Sequence, residues 1–509
     1  MKKKLKVIFI YLGVALLSIL MTVAICAAFL FFYRDGSIFG IKYIKNDEVL
    51  NVKTSDIAVG NINGVSIKSE GFDIKLGVNP YNDEVQGAMV NKTFGYTHKS
   101  KARAGFSAKY DEETGTIIFD VVEPSGWISK KNCYIAIIIP ESLIDDGIDI
   151  NVSSQKGDIL IGGNKKMFFG QVDVASTKGE IGLTNIDMAK NFNINLGSGL
   201  LYVDDKCSAN NINVNIKLGS GKINLTRINN FEIKTLRIEE IKSGKIGVLK
   251  AWEVVTAGSI NGGGQIEVGQ VVELEILTLD TDIKIGTVGE LGSEKILTSR
   301  IDIKGNGSVE VMRSHSELVV TGHNGDVKVG TATGTVTVST NQGDIDVTDA
   351  YGNVSVDTQY GNANIQFGED APEYSAGGRT LIAGTKNGHI IARGIQNASV
   401  TIREKGRATL DYDLVRGLNI ITANQIGSIN IVVPYKHDEK SIALDLEVVS
   451  EIVPDVEVGT VSSDQVELIE GKYSLEVDDI YGSNIENAKL QVKSATGNIK
   501  IRSKDMIDF

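Results

Sequence analysis

From Gly325 to Ile365 the chain writes, five times in succession and at an unbroken nine-residue interval, glycine, any residue, apolar, any residue, apolar. The units are Gly325-Asp-Val-Lys-Val, Gly334-Thr-Val-Thr-Val, Gly343-Asp-Ile-Asp-Val, Gly352-Asn-Val-Ser-Val and Gly361-Asn-Ala-Asn-Ile. Apolar side chains two apart share one face of a strand, and a preceding glycine tolerates the backbone of a tight corner, so each unit predicts a corner followed by a short strand. A fixed short period is the mark of a repeat architecture in which each unit buries its apolar face against its neighbours. Such a solenoid displays long repetitive surfaces rather than one deep pocket, which favours scaffold, adhesion or sensing over catalysis.

Two nine-residue halves make one coil, and residues eighteen apart should then superpose on successive parallel coils about 4.8 Å apart. That register sets Val327 on Ile345 and Ala363, Val329 on Val347 and Ile365, and, on the opposite wall, Val336 on Val354 and Val338 on Val356. An antiparallel meander would call for an Asn-Gly type of turn at each reversal, which does not recur. The 55 glycines and 6 prolines suit many short strands with glycine corners. The expected fold is all-β, a parallel β-solenoid with strand-rich caps.

Around the strict repeat the pattern loosens. Glycine corners at Gly157, Gly179, Gly199, Gly221 and Gly244 mark wider steps, and residues 151–430 are expected to form the solenoid. Residues 35–150 alternate without the beat and read as a β-rich N-terminal cap, ending in Tyr134-Ile-Ala-Ile-Ile-Ile-Pro140, a continuous apolar run expected to be buried on both faces. Residues 431–509 read as a C-terminal cap with a closing coil at Leu490–Ile501. Atypical ends fit a solenoid, because a bare terminal coil exposes an edge that templates aggregation.

Val7 through Tyr33 carries no charge over more residues than the roughly 20 needed to cross a bilayer as a helix. Residues 7–33 are therefore expected to be one N-terminal transmembrane helix, too long for the apolar core of a cleaved signal peptide. Lys2, Lys3, Lys4 and Lys6 make residues 1–6 a cytoplasmic tail and place the remainder outside the cytoplasm. Beyond residue 34 the chain holds 47 basic against 64 acidic residues, which disfavours nucleic acid and anionic lipid as partners. Only Cys133 and Cys207 follow the apolar segment, too few for a disulfide framework, although one bridge is open to them; burial in strands is the alternative.

The repeated segments Ser153-Ser-Gln-Lys-Gly-Asp-Ile-Leu-Ile161, Ser176-Thr-Lys-Gly-Glu-Ile181, Ser339-Thr-Asn-Gln-Gly-Asp-Ile-Asp-Val347 and Ser494-Ala-Thr-Gly-Asn-Ile499 resemble those of a bacterial envelope family described as putative adhesins, domains of unknown function with Ser/Thr-x-x-Gly-Asp-Ile/Val-x-Val coils. The resemblance implies a membrane-linked β-solenoid outside the cell and supplies no catalytic residues.

Few side chains suggest chemistry. Gly197-Ser-Gly199 and Gly219-Ser-Gly221 lack the helix that a phosphate-cradling loop requires, and strands follow them. None of the five units has the glycine-aspartate spacing of a calcium-binding β-roll. One candidate cation site remains: Asp326 and Asp344 stack like charges, with Asn362 next, and a cation would relieve the repulsion; solvated surface carboxylates are the alternative. His98, His315, His323, His389 and His437 form no ligand motif, and no nucleophile elbow occurs. Tyr351 and Tyr360 fall on opposite walls, with Thr333 and Gln342 as their eighteen-residue neighbours, so no aromatic stripe for sugar results. The sequence thus leads to a non-catalytic, membrane-anchored adhesin-like, scaffold or sensing module with no cofactor. Its expected partners are the cell membrane through Val7 to Tyr33 and envelope proteins or wall polysaccharide. The alternative is a surface polysaccharide lyase or hydrolase on a β-helix.

Overall fold

The computed structural model describes residues 13–26, 37–38, 41–56, 60–79, 81, 83–97, 104–124, 129–130, 132–144, 147–226, 231–258, 260–290, 297–369, 379–434, 444–478, 480 and 488–504. They form two units, Met1–Ile186 and Asp187–Phe509. Both are built almost wholly of strands.

In Asp187–Phe509 the nine-residue beat becomes two walls. Val309–Ser314, Val327–Ala332, Ile345–Ala350 and Ala363–Phe367 pair in parallel on one wall, and Glu317–Asn324, Val336–Gln342 and Val354–Tyr360 pair in parallel on the other. The register is the one the repeat dictates: Val327 on Ile345 on Ala363, Val329 on Val347 on Ile365, Val336 on Val354 and Val338 on Val356. These side chains are all buried, so alternate residues of both walls fill one narrow core. Each buried valine or isoleucine contributes about 1.5–3 kcal/mol, which no nine-residue segment realises alone.

The wider glycine steps are coils of the same kind. Phe192 lies on Val214 and Val214 on Leu236, while Leu201 lies on Ile223 and Ile223 on Ile246. After Phe367 one step lengthens, carrying Ala363 to Ile390 and Val356 to Ala383, and parallel pairing then resumes through Thr380–Ile395, Asn397–Tyr412, Leu418–Ala423 and Ile426–Val433.

The end of this stack departs from chain order. Leu418–Ala423 and Ile426–Val433 pair with Ala488–Ser494 and Ile499–Ser503, and those pair in turn with Leu444–Ser450 and Asp455–Val458. The segment expected to close the solenoid is therefore held between two coils, and the outermost rung comes from residues 444–458. Lys472–Val477 lies antiparallel on Leu444–Ser450 and is followed outward by Glu467–Ile469, which hides the last long edge from other chains.

Met1–Ile186 shows the same device. Gly64–Ser69 pairs in parallel with both Thr116–Val122 and Ile148–Ser154, and Asp73–Asn79 with both Tyr134–Pro140 and Ile159–Lys178. Parallel coils are thus present well before residue 151, within the stretch expected to be cap. The covering strands are antiparallel: Gly105–Asp111 on Thr116–Val122, Gln86–Thr97 on Tyr134–Pro140, and Ile41–Lys53 on Gln86–Thr97. Tyr134–Pro140 is not buried on both faces: Ile135, Ile137 and Ile139 enter the core, and Tyr134, Ala136 and Ile138 are half-buried.

Residues 13–26 are helical, with Val14, Leu16, Leu17, Ile19, Leu20 and Met21 more than half exposed. Among the described residues no helix is long and apolar enough to cross a membrane. The rest of the segment expected to span one, 7–12 and 27–33, and the expected tail at 1–6 lie outside the described residues.

Candidate functional site

A chain that turns a corner every few residues leaves amide groups inside the corner, and each needs an acceptor. Here the Ser/Thr-x-x-Gly segments supply it. Ser154 Oγ accepts from the Gly157 amide at 2.8 Å, Ser494 Oγ from the Gly497 amide at 3.0 Å, and Ser69 Oγ from the Phe72 amide at 2.8 Å. The hydroxyls are buried and stacked, Ser154 between Ser69 and Ser176, and Ser494 beside Ser450. Thr340 and Ser176 depart from the pattern, the Thr340 hydroxyl donating to the Gly343 carbonyl at 3.5 Å and the buried Ser176 hydroxyl having no hydrogen-bond partner among the described residues. The glycine is required by close approach: a Cβ on Gly343 would overlap the Gly325 carbonyl oxygen, and one on Gly361 that of Gly343. Gly325 and Gly343 also adopt φ of 140° and 135°, where other residues are strained.

The residue after the glycine ties one coil to the next. Asp326 Oδ1 accepts from the Asp344 amide at 2.9 Å, Asp344 Oδ1 from the Asn362 amide at 2.8 Å, and Asn362 Oδ1 from the His389 amide at 3.0 Å. Asp73, Asp158 and Glu180 repeat the arrangement in Met1–Ile186, at 2.9 and 2.8 Å. Asp326 and Asp344 are thus adjacent as expected, and each spends an oxygen on a backbone amide rather than presenting both to a cation. Among the described residues no group of three or more His, Cys, Asp or Glu is arranged to hold a metal ion. Asp346 lies beside Lys328, also as expected.

The remaining sequence candidates are separated. Tyr360 neighbours Gln342, on the other wall from Tyr351, whose ring lies where a Cβ on Gly368 would sit. His315 Nδ1 is 3.1 Å from Thr333 Oγ1, and burial, with the nearby Arg313 charge, holds its pKa below the usual histidine value. His98 and His437 lie outside the described residues. Cys133 and Cys207 are both buried thiols. Cys133 Sγ accepts from the Lys92 amide at 3.2 Å, and Cys207 Sγ donates to Asp204 Oδ1 at 3.3 Å.

The glycine corners create open grooves along the coil edge of Asp187–Phe509. One, of about 440 Å³, has Gly388, Gly406, Gly427 and Gly497 as its floor and Asn387, His389, Lys405, Ser428, Thr496 and Asn498 along its sides. Another, of about 400 Å³, runs over Gly199, Gly221, Gly244 and Gly264 beside Ser220, Ser243, Lys222 and Lys245. Sequence reasoning missed the first. The long step after Phe367 sets Tyr360 beside Asn387, a neighbour that an eighteen-residue count does not reach, and the count then resumes from Asn387 to Lys405. At its rim Lys386 Nζ donates to Tyr360 Oη at 3.3 Å and lies 3.2 Å from Glu404. Those two partners raise the Lys386 pKa, while hydrogen bonds from Asn387 and then Lys386 lower that of Glu404.

Residues 83–287 match the model of a family described as Toastrack DUF4097. The matched residues include the Ser153–Ile161 and Ser176–Ile181 segments, and the family resemblance read from them is borne out. No curated protein matches the chain. Two solved structures align with it: a putative cell adhesion protein from Clostridium sporogenes, 9% identical, over 91% of this chain and 100% of that one with a TM-score of 0.14, and a putative adhesin from Parabacteroides distasonis, 10% identical, over 76% of this chain and 98% of that one with a TM-score of 0.16.

Proposed function

We propose that the chain is a membrane-anchored, extracytoplasmic β-solenoid that serves the cell envelope without catalysis, as an adhesin-like, scaffold or sensing surface. The observation that carries this reading is the parallel pairing that runs through the coils of Asp187–Phe509, whose edge offers a glycine corner on coil after coil. A surface of that kind engages extended partners by many weak contacts rather than by one enclosed site. The side chains best placed for acid-base work are used otherwise: the aspartates after the glycines accept backbone amides, and Glu404 is bound to Lys386 and Asn387. Anchoring rests on the uncharged run Val7 to Tyr33, and its direction on the lysines before it.

Protease added to intact, wall-stripped cells should digest a tag at the C-terminus of the full chain and spare one at the N-terminus. Protection of the C-terminal tag would overturn the topology. Incubated with wall polysaccharides, the same chain should bind envelope material and release no new reducing or unsaturated sugar ends. Release of such ends, abolished by replacing an acidic residue, would instead establish the lyase or hydrolase reading.

A further inference from the structure

We propose that the groove floored by Gly388, Gly406, Gly427 and Gly497 is a binding site for an acidic glycan chain, with Lys405 of its lining and Arg407, which lies outside the lining but between the lining residues His389 and Ser428, as the groups that hold its anionic substituents; the proposal rests on the adhesive reading above and names its ligand class. The chain carries a formal net charge of −12, so a basic stretch of surface runs against its composition. Along the position that follows the corner glycine, Asp326, Asp344 and Asn362 give way on successive coils to His389, Arg407, Ser428 and Asn498. The position before the glycine runs Gln342, Tyr360, Asn387, Lys405. The edge therefore changes sign within a few coils.

The cations at this place are uncommitted. Lys386 is paired with Glu404, Arg403 with Asp357 and Arg379 with Asp413, whereas among the described residues neither Lys405 nor Arg407 has a carboxylate partner. Both are exposed, as is His389. No acidic side chain lines the groove, and Glu404 at its rim is already bound by Lys386 and Asn387. The other glycine-floored groove differs on this point: its Lys245 is held by Glu267 at 2.6 Å.

Shape then selects the ligand. Four coils cross the groove, so its polar groups recur about every 4.8 Å, close to the length one pyranose ring adds to an extended chain. Asn387, Ser428, Thr496 and Asn498 offer neutral donors and acceptors suited to sugar hydroxyls, and a guanidinium grips a carboxylate or phosphate through two parallel hydrogen bonds. Tyr360, about half exposed one coil before Asn387, carries Lys386 over one face of its ring and leaves the other for a sugar. An open groove of this kind gives weak, salt-sensitive binding per chain, which many anchored copies multiply.

The test measures binding of the full chain in detergent micelles to polygalacturonate, a glycerol-phosphate polymer, neutral dextran and polyglutamate, at low and high salt. The expected result is binding to one or both acidic polymers that contain polyols, distinguishing carboxylate from phosphate, with little binding to dextran or polyglutamate. K405E/R407E should weaken it about tenfold or more, and K222E, in the other groove, should leave it unchanged. Both variants alter exposed side chains, and circular dichroism should show them folded. Polyglutamate binding as tight as polygalacturonate, equal loss in K222E, no loss in K405E/R407E, or no binding of either polymer would each overturn the site. A chain that ignores these polymers yet still binds envelope material would leave the adhesive reading standing and this site refuted; failure to bind envelope material at all would remove the reading itself.

Discussion

At the scale of single residues, the coil is held by two devices, each with its own cost of removal. Gly343→Ala adds a Cβ that overlaps the Gly325 carbonyl at a φ of 135°, and should destabilise the fold by about 3 kcal/mol, read as a fall in thermal midpoint; an unchanged midpoint would mean the corner is not this tight. Asp344→Ala removes the acceptor for the Asn362 amide and should cost about 1–2 kcal/mol. Asp344→Asn should be nearly neutral in the same unfolding measurement, because Asn362 already performs this role toward His389. Equal losses in both variants would point to a role for the charge itself. His315 adds a dependence on pH. Its pKa in the fold lies below the ordinary 6.5 because burial, and secondarily Arg313, oppose the charged form, so the unfolded chain binds the proton more readily. The stability it contributes is present above about pH 6.5 and is lost as pH falls through the lower folded value; His315→Asn should flatten that part of the thermal-midpoint profile, and an unaltered profile would remove His315 from the account.

At the scale of elements, the order of coils rather than their number sets what a truncation does. Ala488–Ser494 and Ile499–Ser503 have a coil on each side, so removing residues 488–509 leaves two unpaired faces instead of shortening the stack. That truncation should aggregate or lose the cap at 444–477 to limited proteolysis, whereas a merely terminal coil would be dispensable; a soluble, protease-resistant product would contradict the pairing order. The sequence made the wall register legible because apolar spacing leaves a single consistent stacking for Val327, Ile345 and Ala363. It did not reveal that Gly64–Ser69 and Ala488–Ser494 sit inside their neighbours, since apolar alternation tells which face a strand buries and not which strand lies beside it. The groove at Lys405 was hidden for a related reason: the long step after Phe367 breaks the count between Tyr360 and Asn387, so the coils of Asn387 and Lys405 could not be aligned with the strict repeat. The candidate pair Asp326 and Asp344 was legible as a pair, but its service to backbone amides became visible only with the corner geometry.

At the scale of the whole molecule, function follows from repetition. A glycine corner that recurs from coil to coil lets the stack lose a coil without losing the kind of surface it presents. The central claim is that two nine-residue strands make one coil of a distributed surface. Deleting Gly325 to Gln342 removes one coil and rejoins like corners, because Asn324 already neighbours Gln342, whereas deleting Gly325 to Thr333 joins one wall to the other. The decisive measurement is thermal unfolding of both deletions, followed by circular dichroism, with envelope binding of whichever folds. The full-coil deletion should fold and retain most of its binding, and the half-coil deletion should not fold. Equal stability of the two, or a well-folded full-coil deletion that no longer binds, would contradict that claim.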